Sequence, residues 1–363
     1  MAKNKINLIK DETAIKLKNG EYGNSGSAFM TIRKFAEKEN ISYLSSYRIF
    51  NSLNQEGSII LYGKKYYISN GLMKKNSELN VNIRKRATGN YIGLHLNNIQ
   101  NPLFAALSNE IKKCLDKYNF KLLTMFSNFD ANEEKNILLE FLKLGVKGIF
   151  SCPGFGEIQK KLYENYMLPF VLLGRNIPSL KSNYVLTDNY ESGMHAAKHL
   201  IACGYKNFAY IGTKVINDYT SDDRLNGFST ELGNNKLNLD KSQIFFIDPK
   251  TPESFNLLRH FLYNLKGKKI GFFCYHDDIA VNLINQCHLL NINIPEQIGV
   301  IGFDNLPISL LTEPTITTYS YNLKEFAELA VSTLIKKINS SDAVYESHKI
   351  TANLIIREST KPE

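Results

Sequence analysis

A chain of 363 residues with 43% hydrophobic and 22% charged residues is too long for one small core and has the balance of a folded protein of two or three domains. No run of about 18 apolar residues occurs, and MAKNKINLIKDE lacks a signal-peptide core, which argues against a membrane span and for the cytoplasm. The net charge of +9 is localised: residues 1–90 hold 16 Lys and Arg against 7 Asp and Glu, whereas residues 91–363 hold 28 of each. A basic block ahead of a neutral body is the footprint of a module that meets nucleic acid. The five cysteines, Cys114, Cys152, Cys203, Cys274 and Cys287, have no CxxC spacing. They suggest neither a disulfide framework nor a zinc site, and no cofactor is called for.

In chain order, residues 5–19 support a first helix, with Ile6, Ile9 and Leu17 apolar and Gly20 as a stop. Thr31 is placed to cap a second helix, TIRKFAEKEN, and Ile41 and Ser42 turn the chain into a third. On that third helix Ile49, Phe50 and Leu53 share one face, and Leu44, Tyr47, Arg48 and Asn51 share the opposite one. Gly57 stops it, and the β-prone runs SIILY and KKYYI flank Gly63 as a hairpin. Helix, helix, turn, helix and basic hairpin spell a winged helix-turn-helix, which sets its third helix in the major groove and its wing beside the phosphates.

Residues 5–69 resemble the GntR-type winged helix. The family pattern lies on NGEY, TIRKFA, ISYLSSYR, QEG and GKKYYI, with Tyr43 and Tyr47 where arginines are usual and Lys65 at the second wing glycine. The resemblance puts Arg33 at a DNA-contacting arginine and Ser45 at the family's threonine. By their chemistry Arg33, Arg48, Lys64 and Lys65 suit phosphate or guanine, Ser45 a phosphate and Leu44 a thymine methyl, with Tyr43 and Tyr47 facing DNA or packing on the wing. Residues 70–90, polar and basic without a sustained period, are a connector.

From residue 91 short apolar runs alternate with amphipathic helices. YIGLHL, FKLLTMF, VKGIFSC, LPFVLLG, FAYIG, IGFFCY and IGVIGF read as buried strands of an α/β protein with parallel sheets. Ligands of such sheets bind beyond the carboxyl ends of the strands. There stand Asn97, Asn98 and Asn101, Arg175, Arg224, His276 with Asp277, and Asp304, a set suited to sugar hydroxyls.

Residues 91–358 resemble the effector-binding core of the LacI/GalR repressors, related to periplasmic sugar-binding proteins. The likeness rests on NPLFAAL, VLTDNYESGMHAAKHLIACGYKNFAYIG, RLNGF, HDDIAV, IPEQIGVIGFDN, EPTITT and LIIREST, in that order. It implies two subdomains with an effector between them, held by Arg224 and Asp277 and flanked by Phe104. Asp188 and Asp304 match family positions that serve as hinge, cap or ligand contact. A GntR-type head on such a core is similar to the architecture of arabinose-responsive repressors of some Gram-positive bacteria.

No GxGxxG, GxxxxGK[ST], HExxH or GxSxG signals an enzyme. The expectation is a cytoplasmic, nucleoid-associated homodimer of three parts, residues 1–69, 70–90 and 91–358. It would bind double-stranded operator DNA under control of a small sugar. The alternative is a sugar receptor with no role at DNA.

Overall fold

The computed structural model describes residues 2–24, 26–62, 65–69, 89–154, 160–164, 166, 168–177, 179–213, 219–247, 255–265, 267–339 and 345–360. Its first three helices are α1 (Ala2–Lys18), α2 (Ile32–Lys38) and α3 (Tyr43–Gln55). Thr31 starts α2 by accepting a hydrogen bond from the Lys34 N–H, and Ser42 starts α3 by accepting one from the Ser45 N–H. Each cap satisfies a donor that the first turn of a helix leaves open. The inner face of α3 buries Ser46, Ile49, Phe50 and Leu53. Phe50 is the centre of an aromatic cluster, its ring 5.2 Å from those of Phe29 and Phe35 and 4.8 Å from that of Tyr66. Lys10 pairs with Glu56 at 2.6 Å and ties α1 to the end of α3.

Gly57, at φ +74°, turns the chain out of α3 in a left-handed conformation that glycine adopts without strain. Strands β1 (Ile59–Tyr62) and β2 (Lys65–Ile68) then pair antiparallel, with Tyr62 opposite Lys65. Residues 70–88, most of the expected connector, and Lys64, an expected wing contact, lie outside the described residues.

The body alternates strand and helix: β3 (Tyr91–Leu96), α4 (Pro102–Asp116), β4 (Lys121–Phe126), α5 (Ala131–Leu144), β5 (Ile149–Ser151), α6 (Lys160–Glu164), β6 (Phe170–Leu173) and β7 (Asn183–Thr187). It continues with α7 (Asn189–Ala202), β8 (Asn207–Thr213), α8 (Tyr219–Asn234), β9 (Ile244–Ile247), α9 (Asn256–Tyr263), β10 (Ile270–Cys274), α10 (Asp277–Leu289) and β11 (Ile298–Ile301). Last come β12 (Thr318–Ser320), α11 (Leu323–Asn339), β13 (Ser347–Ile350) and β14 (Asn353–Ile355). Two all-parallel sheets result, a six-stranded one in the order β13-β7-β6-β5-β3-β4 and a four-stranded one in the order β11-β10-β8-β9. Each sheet is the centre of its own lobe. On one face of the first, Ile92, Leu94 and Val171 pack against Leu107 and Ile111 of α4 and Val331 and Leu334 of α11. In the second, Ile270, Phe272 and Val300 pack against Leu258 of α9 and Leu283 of α10.

The chain crosses between the lobes three times, at β7 to α7, at β12 to α11 and at β13 to β14. The core runs slightly beyond its expected end at 358: Ser359 and Thr360 are fully buried, and the Ser359 hydroxyl donates to the Val300 carbonyl at 2.6 Å. All five cysteines are buried thiols.

Candidate functional site

The carboxyl ends of the strands meet where the chain crosses between lobes. Arg224, on α8, is placed there by a close helix contact. A methyl group on Gly193 of α7 would strike the Arg224 carbonyl, and one on Gly227 of α8 would strike the Tyr190 carbonyl. The two glycines let α7 and α8 approach backbone to backbone, which accounts for the glycine of the RLNGF motif.

Arg224 is 4% exposed. Its Nε donates to Asn189 Oδ1 at 2.8 Å, Nη1 to the Tyr275 carbonyl and Nη2 to the Tyr321 hydroxyl at 3.2 Å. Its Cζ lies 3.4 Å from the Phe303 ring centroid and 4.6 Å from that of Tyr275. A planar cation between aromatic faces keeps favourable electrostatics after leaving water. Tyr321 in turn donates to Asp304 Oδ1 at 2.9 Å. Burial pushes the Asp304 carboxyl up to about 6, against the opposing pull of Arg224 and the Tyr321 hydrogen bond. Tyr275, His276 and Asp304 are half-buried and border this cluster.

Asp277 departs from expectation. The LacI-like motif implies an effector ligand, yet Asp277 is fully buried and protein groups take both its oxygens. Oδ2 accepts the Leu306 N–H at 2.7 Å, and Oδ1 accepts the Thr318 hydroxyl at 2.6 Å. It therefore fastens the start of α10 to β12, one of the three crossings. Burial pushes its carboxyl up to about 7 despite those two hydrogen bonds.

Other expected contacts are also partly occupied. The Asn101 side chain caps α4 by accepting the Leu103 N–H at 2.9 Å, Asp188 caps α7 by accepting the Glu191 N–H at 3.0 Å, and His276 caps α10. Asn97 is buried, its amide donating to Cys152 Sγ at 3.4 Å, while its Oδ1 has no hydrogen-bond partner among the described residues. Phe104 packs against the first lobe's core. Arg175 shares with Thr187, Asn189 and Lys349 a recess of about 30 Å³, room for one or two waters and not for a sugar. A larger cavity of about 720 Å³ lies at the amino ends of the second lobe's strands, beside Tyr205, Lys269 and Pro295. It is the wrong end of a parallel sheet for an effector.

Sequence reasoning missed Asn189, Tyr275, Phe303 and Tyr321 as partners of Arg224. Tyr275 and Phe303 do stand just past the apolar runs of β10 and β11, which was the available signal. A second polar cluster lies in the first lobe. His95 holds Ser127 and Ser151, and Ser151 meets the Tyr163 hydroxyl, which donates to Glu134. Glu134 also accepts the Gly154 N–H at 2.9 Å. Burial drives the His95 ring down to about 4, so it is neutral at physiological pH.

On the head, Tyr43, Leu44, Tyr47 and Arg48 are exposed on the outer face of α3. Arg33 at the start of α2 and Lys65 in β2 are exposed as well. Ser45 is half-buried, its Oγ accepting from the Ser42 hydroxyl at 2.9 Å, which leaves its own proton for an acceptor. No described helix is long and apolar enough to cross a membrane.

Residues 197–360 match the periplasmic binding protein-like domain family. The transcriptional repressor PurR of Mannheimia succiniciproducens is 25% identical over 272 residues, 74% of this chain and 81% of that one. The ribose operon repressor of Halalkalibacterium halodurans is 25% identical over 347 residues, 91% of this chain and 97% of its own. A periplasmic binding protein/LacI transcriptional regulator from Alkaliphilus metalliredigens, solved with D-xylulofuranose, has a TM-score of 0.65 at 25% identity, covering 75% of this chain and all of that one. CcpA of Lactococcus lactis has the same fold, with a TM-score of 0.66 at 23% identity over 75% of this chain and all of its own.

Proposed function

We propose, for what is a LacI/GalR-type transcriptional regulator on a periplasmic-binding-protein-like core, a GntR-type reading head at residues 1–69 and a small-carbohydrate effector between the lobes. The relatives are regulators, and this chain is likewise not an enzyme. In this reading two chains pair through their cores about a two-fold axis and offer two α3 helices to a pseudo-palindromic operator. The protein works in the cytoplasm at the nucleoid.

The observation that carries the effector reading is the Arg224 cluster at the lobe junction, where a buried guanidinium, three aromatic rings and Asp304 converge. Aromatic faces suit the C–H side of a sugar, and the half-buried Asp304, His276 and Arg175 suit its hydroxyls. The D-xylulofuranose held by the Alkaliphilus regulator supports the same ligand class. Because the recess at Arg175 is far smaller than a sugar, the effector enters an opened form and closes the lobes on itself. Closure pulls on β12, to which Asp277 is fastened, and so changes the spacing of the two heads. Relief of repression is the expected sign.

A thermal-shift screen of the full chain against mono- and disaccharides tests this. A sugar at 100 times its dissociation constant raises stability by about 2.7 kcal/mol, and the same sugar shifts operator affinity by about 5- to 150-fold. Stabilisation by no sugar of the panel, or turnover of one, overturns the effector reading.

A further inference from the structure

The outer face of α3 holds an unusual set of groups for a DNA reader. At roughly 100° per residue, Tyr43, Leu44, Tyr47, Arg48, Asn51 and Gln55 share an arc of about 140°. The buried Ile49, Phe50 and Leu53 occupy the remainder of the circle, with Phe50 bordering the Tyr43 edge of the arc. The whole helix, YLSSYRIFNSLNQ, contains one cation and no carboxylate. Leu44 is 59% exposed, Tyr43 58% and Tyr47 40%. Three large apolar side chains thus face outward at the amino-terminal end of the helix, the end that reaches base edges in a helix-turn-helix.

Base chemistry converts this set into a preference. Guanine is read most often by Arg or Lys, cytosine by a carboxylate, adenine by Asn or Gln, and the thymine C5 methyl by apolar contact. With one arginine and no carboxylate, α3 has one reader for a G·C pair. Leu44 and the two tyrosine rings offer apolar surface to methyl groups, and Asn51 and Gln55 offer amides to adenine. The excess of positive charge in residues 1–90 makes a polyanion, and not an apolar protein surface, the occupant of this face.

We infer that α3 selects an A·T-dominated half-site in which thymine methyl groups are packed against Leu44, Tyr43 and Tyr47 and Arg48 reads one guanine. The inference rests on the reading of residues 1–69 as an operator-binding head. It names the base composition that α3 takes.

The full chain is incubated with a random-sequence duplex library, and the bound fraction is sequenced. Symmetric half-sites whose central, α3-contacted bases are rich in thymine with one invariant G·C pair are the expected product. Replacing each enriched thymine by deoxyuridine, which removes only the methyl, should weaken binding about fourfold per contacted base. Leu44→Ala should erase that sensitivity at one position, and Leu44→Met, which restores an apolar side chain, should recover it. Melting curves confirm that both variants fold, as expected for a side chain outside the core. Enrichment of G·C-rich half-sites, or indifference to deoxyuridine, overturns the inference and leaves the operator-binding reading standing. Retention of no DNA overturns that reading and the inference together.

Discussion

Asp277 ties the start of α10 to β12 through one carboxyl. Its proton is held more tightly in the folded state, at about 7 against the ordinary 3.8. Its contribution to stability is therefore full below about 3.8 and is lost as pH rises through about 7, a swing on the order of 4 kcal/mol. Asp304, raised to about 6, adds in the same direction. Thermal melts of the full chain between pH 5 and pH 8 should show stability falling as pH rises, and Asp277→Asn should flatten the profile. An unchanged slope in the variant would remove Asp277 as the cause. The position of this residue was legible in the HDDIAV motif, but its hydrogen-bond partners were not. Leu306 and Thr318, which hold its oxygens, are 29 and 41 positions away, and only the fold brings them to it. Arg224 divides in the same way: its motif announced it, whereas Asn189, Tyr275, Phe303 and Tyr321 come from separate segments with no shared spacing.

At the scale of elements, the α7–α8 contact is set by absent side chains. Gly227→Ala should cost about 1 to 3 kcal/mol, because a methyl there meets the Tyr190 backbone and forces the helices apart. Gly233 on the same helix has open space around its Cα, so Gly233→Ala should stabilise by about 0.5 to 1 kcal/mol through helix propensity. Denaturant titrations that gave both substitutions the same sign would refute the close-approach account. In the head, Ser42→Ala removes the cap of α3 and should cost it about 1 kcal/mol. Operator affinity should drop with it, while sugar binding by the core stays constant. The strands that were legible are continuous apolar runs, such as β10 and β11, in which every residue is buried. Strands β7, β9, β12, β13 and β14 were not read from the sequence. β7 alternates buried and half-buried residues, β9 and β13 lie at sheet edges, and β12 and β14 are three residues each, too short for a period to register.

For the whole molecule, the division of charge sets the salt response. Operator binding should weaken steeply with ionic strength because phosphate contacts release counterions, while sugar binding by the neutral core should barely respond. A chain lacking residues 1–69 should lose DNA binding and keep its sugar-induced thermal shift. Undiminished DNA binding by that remainder would move the reading surface onto the core. The change of charge at about residue 90 is visible in composition alone, but the three crossings are not, because they depend on where late strands return. β13 is the edge strand of the first lobe, β14 pairs with β12, and Ser359 is anchored on β11 of the second lobe. During synthesis, therefore, the head emerges with everything it needs to fold at once. The four-stranded sheet is complete by Ile301, but the six-stranded sheet waits for β13 and β12 waits for β14, so a nascent chain stalled near residue 340 would expose an unfinished edge on the first lobe and an unpaired β12 on the second to chaperones and proteases.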